Sequence, residues 1–431
     1  MSATISLHVG FDNGPLDTVT TWTNLTSYCH GLTITRGRTN ELDGIPPGTL
    51  TLRLDNSPEA SGARPFDPDD TGSPFTGKLL PGRPVRVIAT FLTIDYPLFY
   101  GSIDSWGPIT YNPAIPYAEV TVTATDNMRL LAELPLRAQR AWTLEDATLG
   151  AIDDTTILIQ GDAEFAVEEQ SGDRISRLLN LAAWPTTIRD IDAGQTALVV
   201  HNPDRSERIG SYIEKIRATE YGRVWVTGNG TFRFDQRRAW EQIASQFTSQ
   251  ATFSDNPTGG ELVYDHAVYD PGSRTQLRNM VVRQALGGAE FRVANLTSAS
   301  TYGTREDSFT DMLARDPNEA QDQARYVLSR FGTPTTRVSS ITVDSTHAES
   351  THLPQQLGRE LFDKITVKRT ARSGATSVSR DYWIEQINHQ WDRLADQLRT
   401  TWLLSEAETT TFWTLEHPTR GAIDSTNLLA Y

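Results

Sequence analysis

Short runs of alternating apolar and polar residues constrain this chain more than any other feature of its sequence. In Thr49-Leu50-Thr51-Leu52-Arg53-Leu54 every second side chain is a leucine, so a strand here has one apolar and one polar face until Asp55-Asn56-Ser57 stops it. Leu32-Thr33-Ile34-Thr35 and Val120-Thr121-Val122-Thr123-Ala124 repeat the pattern. Val85 to Leu92 and Leu98 to Trp106 are β-branched or aromatic runs, with Asp95-Tyr96-Pro97 as the expected turn between them. Asp126 is placed to cap a short helix over Met128 to Leu134, which Pro135 ends. The 30 Gly and 22 Pro punctuate the chain often, as many short strands require. One polar loop, Ser57 to Leu80, is long enough to read as an interaction arm or a cover over a neighbour.

The period changes after Pro135. Ile175, Leu178, Leu179 and Ala182 share one helical face that Trp184-Pro185 closes, and Ile209, Tyr212, Ile213 and Ile216 repeat the spacing. Gly222 stands where a left-handed carboxyl cap is wanted. Val224-Trp225-Val226 and Phe232-Arg233-Phe234 flank Asn229-Gly230, which predicts a type I′ hairpin. From about Phe247 strands return, with a hairpin around Gly287-Gly288 and one helix opened by Asp316-Pro317 and ended by Gly332. Strands are expected at Val338 to Val343, Lys364 to Lys368, Tyr382 to Ile387 and Leu398 to Leu404.

A length of 431 residues suits two to four domains. The expected division is a first tube-like β domain over 1–135 and an outer α/β lobe over 136–245, with helices near 173–183 and 207–221 and a hairpin over 223–235. A second tube-like β domain follows over 246–405, with a helix near 317–331, and then an extended tail over 406–431. The fold class is mainly β with α/β insertions, two β-barrel or sandwich domains plus outer lobes.

The 39 basic against 54 acidic residues give a net charge of −15, which argues against a sequence-specific DNA reader. No apolar run approaches the ~18 residues of a membrane span, and the amino terminus lacks the pattern of a secretory signal. Cys29 is the single cysteine, which excludes intrachain disulfides and multi-thiolate metal sites. The eight histidines form no HExxH or HxH pattern, and His347 and His352 are poorly spaced as ligands, so all read as surface or packing residues. Asp67, Asp69 and Asp70 lack the spacing of a calcium loop, and Asp153-Asp154 and Glu168-Glu169 read as solvated charge rather than as a hydrolytic pair. Neither a catalytic, a metal nor a cofactor site is expected.

Thr35-Arg36-Gly37-Arg38, Gly48-Thr49-Leu50-Thr51-Leu52 with Leu54-Asp55-Asn56, Pro65-Phe66-Asp67-Pro68, Leu80-Pro81-Gly82-Arg83-Pro84 and Leu98-Phe99-Tyr100-Gly101 through Trp106 follow one another along the chain. In this order they resemble the minor tail proteins of long-tailed, siphovirus-type actinobacteriophages, within the baseplate or tail-tip hub family. Glu220-Tyr221-Gly222-Arg223, Gly230 to Phe234 with Arg237, Leu277-Arg278-Asn279-Met280-Val281, Ser300 to Arg305 and Phe412-Trp413-Thr414-Leu415 continue the likeness. Arg36, Asn56, Arg83, Pro84, Gly101, Trp106, Gly222, Arg237, Asn279 and Gly303 are the motif residues expected to serve packing or an interface.

The resemblance implies a homotrimer whose two β domains per chain form a pseudo-sixfold ring. Such a ring closes or adapts the end of the tail tube and lets DNA pass without specific binding. It implies a distal tail protein or tube ring, other minor tail proteins and a tape measure protein as partners, in a virion tail tip made in the host cytoplasm. No enzymatic residues come with it, and any lytic activity is expected to need another protein. Two other readings stand beside it: a hexameric distal-tail or adsorption component, and a cell-wall hydrolase with converging carboxylates.

Overall fold

The computed structural model describes residues 3–111, 117–136, 169–201, 203, 206–344, 346, 349–370, 377–407, 412–413 and 428–429. The alternating runs become strands: β1 (Thr4–Val9), β2 (Thr23–Asn24), β3 (Cys29–Gly37), β4 (Thr49–Asp55), β5 (Pro84–Phe91), β6 (Ile94–Tyr111) and β7 (Ala118–Asp126). They lie in the order β2-β1-β5-β6-β7-β4-β3, with every pair antiparallel. Leu50, Leu52 and Leu54 point into the core while Thr49, Thr51 and Arg53 face out, because the side-chain period of a strand is two. Leu52 sits opposite Leu32 on one side and Val122 on the other.

Two local expectations fail here. Asp95-Tyr96-Pro97 lies inside β6, paired with Thr90, Ala89 and Ile88. The chain reverses instead at Leu92-Thr93, both with positive φ (48° and 67°), as a two-residue primed turn requires. The Phe91–Ile94 pairing leaves only those two residues for the turn, so the ladder overrides turn propensity. The loop Ser57 to Leu80 covers the core of its own sheet rather than standing out as an arm. Phe66 and Phe75 are buried in it and stack on each other, with Phe11 against Phe75 and Trp106 against Phe66. Its aspartates shape turns: Asp70 accepts from the Arg64 and Gly72 amides and Asp67 from that of Asp69.

The helices Ser171–Leu181 and Ile209–Glu220 bury Ile175, Leu178 and Leu179, and Ile209, Tyr212, Ile213 and Ile216, in one cluster. Small strands complete this lobe: β8 (Glu169–Gln170), β9 (Arg189–Ile191), β10 (Ala197–Leu198), β11 (Arg223–Val226) and β12 (Phe232–Asp235). The loop 227–231 joins β11 to β12, and of Asn229-Gly230 only Gly230 has positive φ, so this is not the type I′ pair expected. The cap also differs. Tyr221 takes the left-handed conformation (φ 59°, ψ 29°), and Gly222 is needed for another reason: a Cβ there would lie 2.5 Å from the Asp235 carbonyl oxygen.

β13 (Thr252–Ser254), β14 (Leu262–Val263) and β15 (His266–Asp270) begin the second β region. Within 246–405, β16 (Met280–Ala285), β17 (Glu290–Ala294) and β18 (Glu306–Met312) make a separate three-stranded sheet packed against the helix Pro317–Phe331. Asp316 caps that helix by accepting from the Asn318 amide at 2.9 Å. β19 (Arg337–Asp344), β20 (Lys364–Arg369), β21 (Val378–Asp392) and β22 (Gln397–Glu406) complete the large sheet in the order β14-β13-β20-β21-β22-β19-β15. Helices Leu296–Tyr302 and Glu349–Gly358, the latter with Pro354 inside it, have no counterpart in the sequence reading.

The fold is mainly β with mixed sheets and few helices, and among the described residues no ladder closes into a barrel. Of the expected tail, short strands at Phe412–Trp413 and Leu428–Leu429 pair in parallel, and the rest of 408–431 lies outside the described residues.

β21 joins the two β regions. Its first half pairs with β20, its second half with β3, and β22 runs along its other edge. Seven strands of one region and seven of the other thus share one 14-stranded sheet.

Candidate functional site at the joint of the β regions

Pairing of β21 passes from β20 to β3 at a bulge, and Glu385 sits there. Gly37 ends β3 with φ 101°, and a Cβ on it would lie 2.2 Å from the Glu385 carbonyl oxygen, so only glycine lets the strands meet. The Arg38 amide donates to that carbonyl at 2.8 Å, and Arg38 Nε donates to Glu385 Oε2 at 2.7 Å, both side chains being buried. Ser405 Oγ donates to the other carboxylate oxygen at 2.7 Å. Burial alone would raise the Glu385 pKa, but the Arg38 and Arg223 guanidinium groups hold it below the ordinary value.

A cleft of about 180 Å³ opens beside this joint, lined from segments far apart in sequence. Arg38 and Glu41 follow β3; Arg217, Tyr221, Arg223, Arg237, Arg238 and Glu241 come from the α/β lobe; Arg283, Asp307 and Tyr326 come from the three-stranded lobe; Trp383 comes from β21. Arg223 lies over the Phe362 ring at 4.2 Å and the Trp383 ring at 4.9 Å and donates to Gln246 Oε1 at 3.1 Å. Burial lowers its pKa. Arg330 reaches Glu41 through two bonds of 2.7 and 3.0 Å, tying the helix Pro317–Phe331 to the segment after β3. Arg237 reaches Glu319 at 3.0 Å, and Gln323 donates to the Ala218 carbonyl at 2.9 Å. Tyr221 meets Tyr326 edge-on at 5.3 Å, and burial pushes its phenol well above its ordinary pKa.

The motif residues do not converge on this place. Gly222 and Arg237 line the cleft. Arg36 is buried and paired with Glu360 at 2.7 Å. Asn56 is buried and accepts from the Phe66 amide at 2.7 Å, fastening the covering loop. Trp106 Nε1 donates to the Leu80 carbonyl at 3.0 Å and Arg83 to the Asn13 carbonyl at 3.1 Å. Pro84 opens β5, and Gly101 lies opposite Asp126 in β6. Asn279 donates to the Gly303 carbonyl at 2.9 Å and accepts from the Arg305 amide at 2.7 Å, closing the three-stranded lobe.

The other chemical candidates are also dispersed. Cys29 is buried, and burial raises its thiol pKa to about 12. His352 is buried against the Val263 carbonyl at 3.0 Å. Glu169 is paired with Arg174 and Arg177, while Asp153-Asp154, Glu168 and His347 lie outside the described residues. Among the described residues no group of three or more His, Cys, Asp or Glu side chains is placed to hold a metal ion. Chemically the cleft offers guanidinium and phenol donors beside aromatic faces. The family fragments in the sequence contain Arg38, Tyr221, Gly222, Arg223 and Arg237, but nothing in their spacing brings them together; chain topology does that, and it adds Arg283, Asp307, Tyr326 and Trp383.

No protein-family model matches the chain. No curated protein matches it by sequence either. Two solved structures are similar over nearly its whole length. The tail protein from Neisseria meningitidis MC58 is 12% identical with a TM-score of 0.55, over 94% of this chain and 97% of that one. The 43 kDa tail protein of prophage MuSo2 from Shewanella oneidensis is 11% identical with a TM-score of 0.54, over 94% of this chain and 98% of that one. The likeness extends to tail proteins from Neisseria and Shewanella rather than to the actinobacteriophage group in particular. At such identity it is a likeness of fold, and the chain has the mainly β fold of these tail proteins.

Proposed function

We propose that this protein is a structural, non-enzymatic component of a bacteriophage tail, placed at the tail tip as a baseplate hub. The observation that carries the reading is the fold shared with two tail proteins over 94% of the chain. In this reading 1–135 and 246–405 supply tube-like β domains, held side by side by β21, and 136–245 is an outer lobe. Three copies form a ring that closes or adapts the end of the tube. Its neighbours are a distal tail protein or tube ring, other minor tail proteins and the tape measure protein. The motif residues fasten the loops and lobes that such an assembly needs rigid.

DNA leaves through the ring without specific binding, and the net charge of −15 agrees in sign with a lumen that repels phosphate. The protein is made in the host cytoplasm and ends in the virion. Imaging of assembled particles tests this directly. Three copies at the tail tip are expected, six copies would make it a distal-tail or adsorption component instead, and hydrolysis of cell-wall material by the purified chain would overturn the non-enzymatic reading.

A further inference from the structure

We propose that the cleft beside the joint is a binding site for a single carboxylate group, received by the Arg223 guanidinium and the Tyr221 hydroxyl. The inference rests on the cleft alone and holds whether or not the protein is a tail component. Six arginines line the cleft, and five of them are matched by a carboxylate of the chain: Arg38 by Glu385, Arg217 by Glu214, Arg237 by Glu319, Arg238 by Glu241 and Arg283 by Asp307. Arg223 makes no ion pair of its own among the described residues: it shares the field of Glu385 with Arg38, which already bonds that carboxylate, and rests on two aromatic rings and one amide oxygen. A guanidinium in a buried setting without its own anion is costly unless an anion arrives.

The Tyr221 hydroxyl is a second unmet group, buried without a hydrogen-bond partner among the described residues. The backbone holds Tyr221 in the left-handed region, where a bulky side chain is strained, and so fixes its ring against Tyr326. A third unmet group, Oε1 of the cleft-lining Glu241, asks for an N–H donor elsewhere on the occupant. One unmatched positive charge favours a monoanion. A phosphate dianion would bring a second negative charge close to Glu41, Glu241 and Asp307. A planar carboxylate also fits the edge of a guanidinium whose face is occupied by rings. The occupant is therefore an acyl-amino carboxylate, either a free small molecule or an acidic side chain with its backbone N–H.

Calorimetric titration of the full chain tests this with N-acetyl-phenylalanine, its neutral amide, inorganic phosphate and an end-blocked peptide carrying one glutamate. The acid is expected to bind with a dissociation constant in the millimolar range or tighter, at least about tenfold more tightly than the amide or phosphate. Arg223→Gln should remove that preference, and Tyr221→Phe, which keeps the ring against Tyr326, should weaken the acid about threefold without changing the melting temperature. Binding of the blocked peptide alone would identify a protein side chain as the source and still support the site. Equal binding of acid and amide, tighter binding of phosphate, no saturation of either carboxylate probe, or an unchanged affinity in both variants would overturn the proposal. Should Arg223→Gln not fold, the acid–amide comparison and Tyr221→Phe decide it.

Discussion

In the first β region, leucines, valines and isoleucines from alternating positions fill the sheet's inner face, and the loop after β4 covers them with Phe66 and Phe75. The second β region has an equally apolar centre around Phe253, Ile384 and Trp402, yet its border carries the buried charges Glu385, Asp363 and Lys364. Glu385 is satisfied above all by Arg38 from the end of β3, whereas Asp363 pairs with Arg359 of its own region. The first region's core is covered by its own loop together with Leu353, Leu357 and Leu398 of the second, whereas the second region takes the countercharge of Glu385 from the first. A core of apolar contacts tolerates small displacements, while a buried ion pair fixes one geometry or fails, so the joint is where the orientation of the lobes is set.

Glu385→Ala breaks the comparison most sharply, because it leaves Arg38 and Arg223 buried around a void. The expected loss is about 4 kcal/mol in denaturant unfolding, and a loss below about 1 kcal/mol would refute the role given to the joint. Phe66→Ala probes the other side of the comparison. Its side chain is fully buried in the covering loop, and its truncation should cost about 3 kcal/mol and loosen residues 57–80 in hydrogen exchange while protection of β19 and β22 stays intact.

The seam between the regions has a pH signature of two opposed parts. Burial raises Asp126, which accepts from the Gly48 and Met128 amides, to about 7. The folded chain then keeps a proton that the unfolded chain has lost, so this contribution falls as pH rises from about 4 to about 7. Burial, and then Arg36, lowers His389 to about 3. There the unfolded chain binds the extra proton, so stability falls as pH drops below about 6.5. The two slopes offset each other between about pH 4 and 6.5 in the native chain. Asp126→Asn should expose a stability that climbs with pH by up to about 1.4 kcal/mol per unit in that window, and His389→Gln the reverse slope. Urea midpoints at several pH values read both, and flat profiles in both variants would mean that neither group titrates this way. The smallest effect is expected at Leu394, almost wholly exposed at the tip between β21 and β22. Leu394→Ser should change stability by less than about 0.5 kcal/mol, and a larger change in urea unfolding would show that the tip is part of the core after all.

Legibility in the sequence follows the range of the interactions. The alternation over Thr49 to Leu54, the apolar faces of Ser171–Leu181 and Ile209–Glu220 and the Asp316-Pro317 cap are each set by neighbours a few residues away, and each is readable from spacing. The turn at Leu92-Thr93 and the need for glycine at Gly222 are not readable, because strand pairing and the close approach of the Asp235 carbonyl impose them from outside the local segment. The helix Glu349–Gly358 hid behind Pro354 for the same reason: Leu353 and Leu357 gain their burial from the first region's core.

By itself the sequence determined that the chain is mainly β, where many of its strands lie though not their full extents, where the three principal helices lie, and that a single cysteine leaves no intrachain disulfide. Tertiary structure alone decided that β21 serves both β regions and that three-stranded β16–β18 stands apart. It alone also brought Arg38, Arg223, Arg283 and Trp383 to one cleft. The physical reason is that periodicity records which face of an element is apolar, whereas the partner of that face, and the company of a lone arginine, is fixed only when distant segments compete for burial.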